Sequence, residues 1–147
     1  MHFNEPDSLN SMFYQVIRYH YQRTHMLLDK IGLYPGQPFL LFALYKSDGQ
    51  SQKDLANKLN IKASTITAMV KRMEKSGLIE RRQDSIDQRI SRVYITDKGK
   101  EVCMEVDKIK KEIEFETFRN FTEEDKIKLK ELFTQMKRNL ITACENP

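Results

Sequence analysis

The stretch SQKDLANKLNIKASTITAMVKRMEKSGLIERR, residues 51–82, decides the fold. Ser51 stands before a short amphipathic run, and Asp54 three positions on makes the pair a variant of the capping box. Leu55, Ala56 and Leu59 fall on one side of that run and predict the inward face of a short helix. Asn60-Ile61-Lys62 leaves room only for a tight connection. A second helical pattern fills residues 63–75 and stops at Ser76-Gly77, with the glycine as C-cap. Leu78-Ile79-Glu80-Arg81-Arg82 follows at once and is β-prone. Two short helices joined by a tight turn and running into a strand predict a helix-turn-helix.

Working outward, Phe13, Val16, Ile17, His20, Thr24, Leu27, Leu28 and Ile31 recur at three- and four-residue intervals and predict a long first helix over residues 8–31. Gly32 ends it, and Pro35, Gly36 and Pro38 mark a loop. A very apolar helix is expected over residues 39–46, then a turn over 47–50. Downstream, Ser91-Arg92-Val93-Tyr94-Ile95 reads as the partner strand of 78–84, with a charged hairpin tip over 85–89. Thr96 caps a long helix to about residue 119 with the stripe Val102, Val106, Ile109 and Ile113. Thr122 and its three following acids open a last helix carrying Leu129, Leu132, Phe133, Met136 and Leu140. A two-stranded hairpin is marginal alone, so it must lean on the helices before it. The expected fold is mostly α with a small β-hairpin. Its centre is a winged helix-turn-helix core, flanked by long N- and C-terminal helices suited to dimerisation.

The chain has 147 residues, 39% hydrophobic and 31% charged, the size and balance of one folded domain rather than a disordered or membrane-embedded chain. No uncharged run approaches the roughly 18 residues that would span a bilayer, and the start MHFNEPDSLN shows no signal peptide. Cys103 and Cys144 are far apart and unpaired by any CxxC, which fits a reducing cytoplasm. The net charge of +4 is unevenly spread. Residues 50–100 hold twelve Lys/Arg against six Asp/Glu, or +6, and the remainder carries −2. A basic middle between near-neutral flanks is a footprint for a polyanion.

The helix over 63–75 sharpens that footprint. With Ile66 set at zero and about 100° per residue, Met69, Val70 and Met73 form one narrow apolar stripe. Ser64, Ala68, Lys71 and Lys75 lie opposite, with Thr65, Thr67 and Arg72 on the shoulders. An outward face of small hydroxyls, one alanine and cations suits a major groove: hydroxyls donate or accept, methyls meet thymine methyls, and cations reach guanine or phosphate. Ser64, Thr65, Thr67 and Ala68 are the candidate base readers; Lys71, Arg72 and Lys75 are candidate phosphate contacts. On this view Thr67→Val, which keeps the shape and drops the hydroxyl, alters base preference at one operator position. On the hairpin tip Arg89 can enter a minor groove, with Asp87 two positions earlier to hold its guanidinium. Arg92, on the following strand, completes the candidate wing contacts.

Residues 51–82 together with DQRISRVYITDKG, residues 87–99, resemble the MarR family of bacterial transcriptional regulators. The second segment is similar to that family's wing signature, an Asp-x-Arg followed by a strand and a Leu/Ile-Thr-x-x-Gly helix start. The two stretches cover about a third of the chain. The resemblance implies a single domain over 1–147, with a DNA-binding lobe over 33–98 and a helical dimerisation region over 1–32 and 99–147. It implies a homodimer with interleaved terminal helices on a pseudo-palindromic double-stranded DNA operator. Arg89 would be the minor-groove arginine and Asp87 its orienting partner, with Ser64, Thr65, Thr67 and Lys71 on the major-groove face and Arg72 on a phosphate. It also implies a repressor that a small aromatic or lipophilic effector releases, and Phe13, Tyr14, Phe39, Phe42 and Tyr45 are the candidate pocket residues.

Other chemistry finds little purchase. His20 and His25 lie about 140° apart around a helix, so one ion cannot take both from one face. His2 stands near the terminus, and no HExxH or cysteine pair supplies a metal site or cofactor. No Walker loop, GxGxxG after a strand or GxSxG elbow nominates an enzyme. The rival reading is a winged-helix module docking an acidic protein through its wing and the 63–75 helix.

Overall fold

The computed structural model describes residues 8–146; His2 lies outside them. The order is α1 (Leu9–Asp29), α2 (Gln37–Lys46), β1 (Gln50–Ser51), α3 (Gln52–Leu59), α4 (Ala63–Lys75), β2 (Ile79–Gln83), β3 (Ser91–Ile95), α5 (Asp97–Thr117) and α6 (Glu123–Glu145). The expected mostly helical winged fold is present, with one element more than the sequence predicted. Residues 47–50 are not only a turn: Gln50 and Ser51 form β1, which pairs antiparallel with Val93 and Arg92 of β3. The hairpin is therefore a three-stranded sheet in the order β1-β3-β2. Its other edge runs from Ile79 opposite Ile95 to Gln83 opposite Ser91.

Local chemistry explains where the helices start and stop. Ser51 Oγ accepts from the Asp54 amide at 3.1 Å, and Thr122 with Asp125 forms a full capping box on α6. At the end of α4 the Leu78 amide donates to the Met73 carbonyl and the Gly77 amide to that of Glu74, a Schellman motif around Gly77 at φ 77°. Asn60 at φ 52° does the same for α3, a left-handed position that asparagine tolerates. α2 starts two residues earlier than expected because Pro38 sits in its first turn, where no amide hydrogen is needed.

Leu40, Leu41 and Leu44 of α2 are fully buried together with Leu55, Ile66, Val70, Met73, Ile79 and Val93. Each such side chain is worth about 1.5–3 kcal/mol on burial before chain entropy is counted. This core fixes α4 and the sheet on one frame. The chain divides into two compact units, one through Ile113 and one from Glu114, so the division falls inside α5. The long helices are less covered than their periodicity implies: α1 buries only Leu27 and Leu28, and α6 buries no residue. Among the described residues no helix is long and apolar enough to cross a membrane.

Candidate nucleic-acid interface

α4 turns the way its sequence requires. Ile66, Val70 and Met73 are buried and Met69 is half-buried, while Ser64, Thr65, Thr67, Ala68, Lys71, Arg72 and Lys75 are all exposed. No side chain caps its N-terminus and no acid lies in its first turn, in contrast to α3 and α6. The positive end of its dipole is left for an anion. Arg72 lies with its guanidinium carbon 4.7 Å from the centre of the Tyr34 ring, a cation–π contact that orders it. Lys71 and Lys75 make no ion pair among the described residues. Thr67 is less free than its exposure implies. Its hydroxyl donates to the Ala63 carbonyl at 3.0 Å and accepts from the Gln52 side-chain amide at 3.2 Å.

The wing is organised by two aspartates. Asp87 receives Arg89 on both carboxylate oxygens, Nε at 3.1 Å and Nη2 at 3.2 Å, and also the Arg89 backbone amide at 3.0 Å. This bidentate grip holds the Asp87 carboxyl below the usual range, chiefly through the guanidinium. The Arg89 side chain is nonetheless 91% exposed, so the charge is aimed but not consumed.

Asp84, which sequence reasoning passed over, builds the base of the tip. It accepts from the Ile86 and Asp87 amides at 2.8 and 2.9 Å and from Arg92 Nε. Arg92 is the residue that the structure relocates. Its other branch donates to the Gly49 carbonyl at 2.9 Å, so its guanidinium ties the wing to the start of β1 instead of projecting with Arg89. Asp-Ser-Ile-Asp at the hairpin entry, an Asx-turn pattern, was the available signal for Asp84. Nothing local signals Arg92's bond to the Gly49 carbonyl.

The Asp84 carboxyl is pulled from its ordinary 3.8 down to about 2, first by Arg92 and then by the Asp87 and Ile86 amides. A lowered folded-state value means that the stabilisation is complete above about pH 5 and is lost progressively as pH falls through about 2. Amide-exchange protection of Ile86 and Asp87 is expected to hold at about pH 5 and to fail towards pH 2. Asp84→Asn should lower it at both. Equal protection at the two pH values would remove Asp84 from the wing's support.

Elsewhere, Arg81 pairs with Glu74 at 2.6 Å, and Arg82 pairs with Glu80 and lies 4.5 Å from the centre of the Tyr94 ring. The five candidate pocket aromatics are dispersed in exposure. Tyr14, Phe39 and Tyr45 are surface residues of the single chain, Phe13 is half-buried, and Phe42 packs against the core with Lys110 Nζ 3.8 Å from its ring centre. Cys103 is buried, which raises its thiol, and Cys144 is exposed. His20 is exposed, and the His25 ring lies tilted beside that of Tyr21, with centres 6.5 Å apart. No group of three His, Cys, Asp or Glu among the described residues could hold a metal ion.

A buried helix-turn-helix frame, a small-residue outward helix face and an arginine-tipped wing define a winged-helix protein of the DNA-binding class. The MarR family model matches residues 33–91. The chain is 34% identical to the HTH-type transcriptional regulator YdgJ of Bacillus subtilis, over 69% of this chain and 62% of that protein. It is 32% identical to the regulator YwoH of the same organism, over 72% of this chain and 77% of that one. The chain belongs to the MarR family, a family of transcriptional regulators and not of enzymes. The alignment spans under two thirds of YdgJ's length. The solved structure of Bordetella bronchiseptica BpsR, described as regulated in DNA binding by 6-hydroxynicotinic acid, has the same fold. It gives a TM-score of 0.73 at 18% identity, covering 92% of this chain and 96% of BpsR.

Proposed function

We propose that the protein is a cytoplasmic, homodimeric repressor that binds a pseudo-palindromic double-stranded DNA operator and releases it when a small aromatic or lipophilic effector binds. α4 enters the major groove, with Ser64, Thr65, Thr67 and Ala68 at base edges and Lys71, Arg72 and Lys75 at phosphates. The wing brings Arg89 to the minor groove. The observation that carries this reading is the pair of Asp87 and Arg89: a charge fixed in direction yet 91% exposed has no purpose inside the fold.

Repression follows from occupancy, since a protein seated over a promoter needs no further activity. Two-fold assembly is supported by apolar surface that one chain leaves open. α6 exposes Ile127, Leu132, Phe133, Leu140 and Ile141, and α1 exposes Leu9, Met12, Val16 and Ile17. Effector release is supported by the exposed aromatics Tyr14, Phe39 and Tyr45 and by the BpsR parallel.

The test is selection of duplexes from a random pool by the 147-residue chain, with sedimentation to count chains. A palindrome bound by two chains is expected. With about seven phosphate contacts per dimer, log K should fall with log salt at a slope near −6. A flat salt response would point instead to an acidic protein partner.

A further inference from the structure

Gln52 opens α3 and was not among the residues that the sequence nominated for DNA. Its side-chain amide nevertheless crosses the turn of the helix-turn-helix to donate to Thr67 Oγ1 at 3.2 Å. Thr67 passes its own proton back one helical turn to the Ala63 carbonyl at 3.0 Å. A hydroxyl has one proton and two lone pairs. The proton is committed within α4 and one lone pair is committed to Gln52. What Thr67 can still show to a base edge is its methyl group and a single lone pair.

That inventory is selective. Guanine N7 and O6 and thymine O4 are acceptors and need a donor, which this side chain no longer has. The remaining lone pair can accept from adenine N6–H2 or cytosine N4–H2, a contact that Thr67→Val would abolish, whereas the C5-methyl of thymine needs only an apolar neighbour, and a threonine methyl is one. A threonine free to turn its hydroxyl could serve either kind of partner. The two hydrogen bonds remove that freedom while leaving the residue exposed.

Resting on the DNA-binding reading above, we propose that Gln52 is a positioning residue for base recognition: it clamps Thr67 so that Thr67 reads thymine through its methyl group. This reverses what the sequence alone implies for Thr67→Val, because valine keeps the methyl and loses only a hydroxyl that is already engaged.

The experiment selects sites from a random duplex pool with the wild-type chain, Thr67→Val, Thr67→Ser, Gln52→Ala and the Gln52→Ala/Thr67→Val double variant. Thermal melting confirms that each is folded. Wild type and Thr67→Val are expected to choose the same thymine at one position of each half-site. Thr67→Ser should lose that preference by roughly 3- to 5-fold, the worth of one buried methyl group. Gln52→Ala should broaden the same single position, and should add nothing in the Thr67→Val background, where no hydroxyl remains to clamp. A changed base with Thr67→Val, or an unchanged one with Thr67→Ser, overturns the proposal. So does a Gln52→Ala loss spread evenly over all sequences, which would make Gln52 a phosphate contact. A wild type that enriches no duplex at all would instead overturn the DNA-binding reading beneath it.

Discussion

Arg89→Ala is expected to weaken operator binding by roughly 10- to 150-fold for each wing engaged, the equivalent of about 1.5–3 kcal/mol for a charge-assisted hydrogen bond. Two wings on one operator would double the free-energy loss. The fold should not notice. The Arg89 side chain is 91% exposed and its polar partner is Asp87, two residues away on the same loop, so no core contact is removed. Melting temperature and sedimentation should match the wild type while anisotropy titrations at fixed salt show the loss. Arg89→Lys separates charge from aim: a lysine keeps the positive charge but cannot hold both Asp87 oxygens in a planar fork. It should recover only part of the affinity. Asp87→Ala should fall between wild type and Arg89→Ala, because the guanidinium remains but must be ordered during binding. Unchanged affinity for Arg89→Ala would remove the wing from the mechanism.

The second large effect is expected far from any DNA contact. Gly99 lies in the first turn of α5, where that helix crosses the beginning of β2. Thr96 fastens the crossing. Its amide donates to the Leu78 carbonyl at 3.1 Å, and its hydroxyl donates to the Gly77 carbonyl at 2.6 Å and accepts from the Gly99 amide at 3.1 Å. A Cβ on Gly99 would fall inside contact distance of the Leu78 carbonyl oxygen and 2.7 Å from Ile95 Cγ1. One is backbone and the other is a buried side chain, so neither gives way easily. Alanine gains up to about 1 kcal/mol of helix propensity over glycine. Overpacking of this kind costs about 1–3 kcal/mol and occasionally more. With backbone as the obstacle, a net loss of about 2 kcal/mol is expected for Gly99→Ala, and with it a fall in melting temperature of roughly 4–8 °C. Protein concentration must be held constant, since association shifts apparent stability. An unaltered melting curve would mean that α5 can slide on the sheet. The Ile-Thr-x-x-Gly signature thus has a physical reason: the threonine staples the helix to the strand, and the glycine lets it lie that close.

What the sequence made legible was local. α4 appears over the predicted residues 63–75 because its apolar stripe and its Gly77 stop are both written within a few positions. The aim of Arg89 was legible for the same reason, its partner being two residues away. The misreadings were matters of range. β1 is only two residues long and exists because Gln50 meets Val93 across the sheet, a pairing that no local pattern records. Arg92 follows a basic tip and so reads as a wing contact, but the sequence holds no sign that its guanidinium also ties to the Gly49 carbonyl, 43 residues away. Gln52 and Thr67 are 15 residues apart and joined through the fold alone. The stripes of α1 and α6 were read correctly as apolar, but periodicity cannot say what covers a stripe. In the single chain Val16 and Ile17 of α1's stripe and Leu132, Phe133 and Leu140 of α6's stay exposed.

The short β1 has one more consequence. Asp48 Oδ1 accepts from the Ile95 amide at 2.9 Å, and Arg92 holds the Gly49 carbonyl just before β1 leads into α3. The hairpin strand and the entrance to α3 are thus pinned like two hinge leaves on one rod, so that a displacement of the hairpin pulls on the helix-turn-helix into which β1 leads.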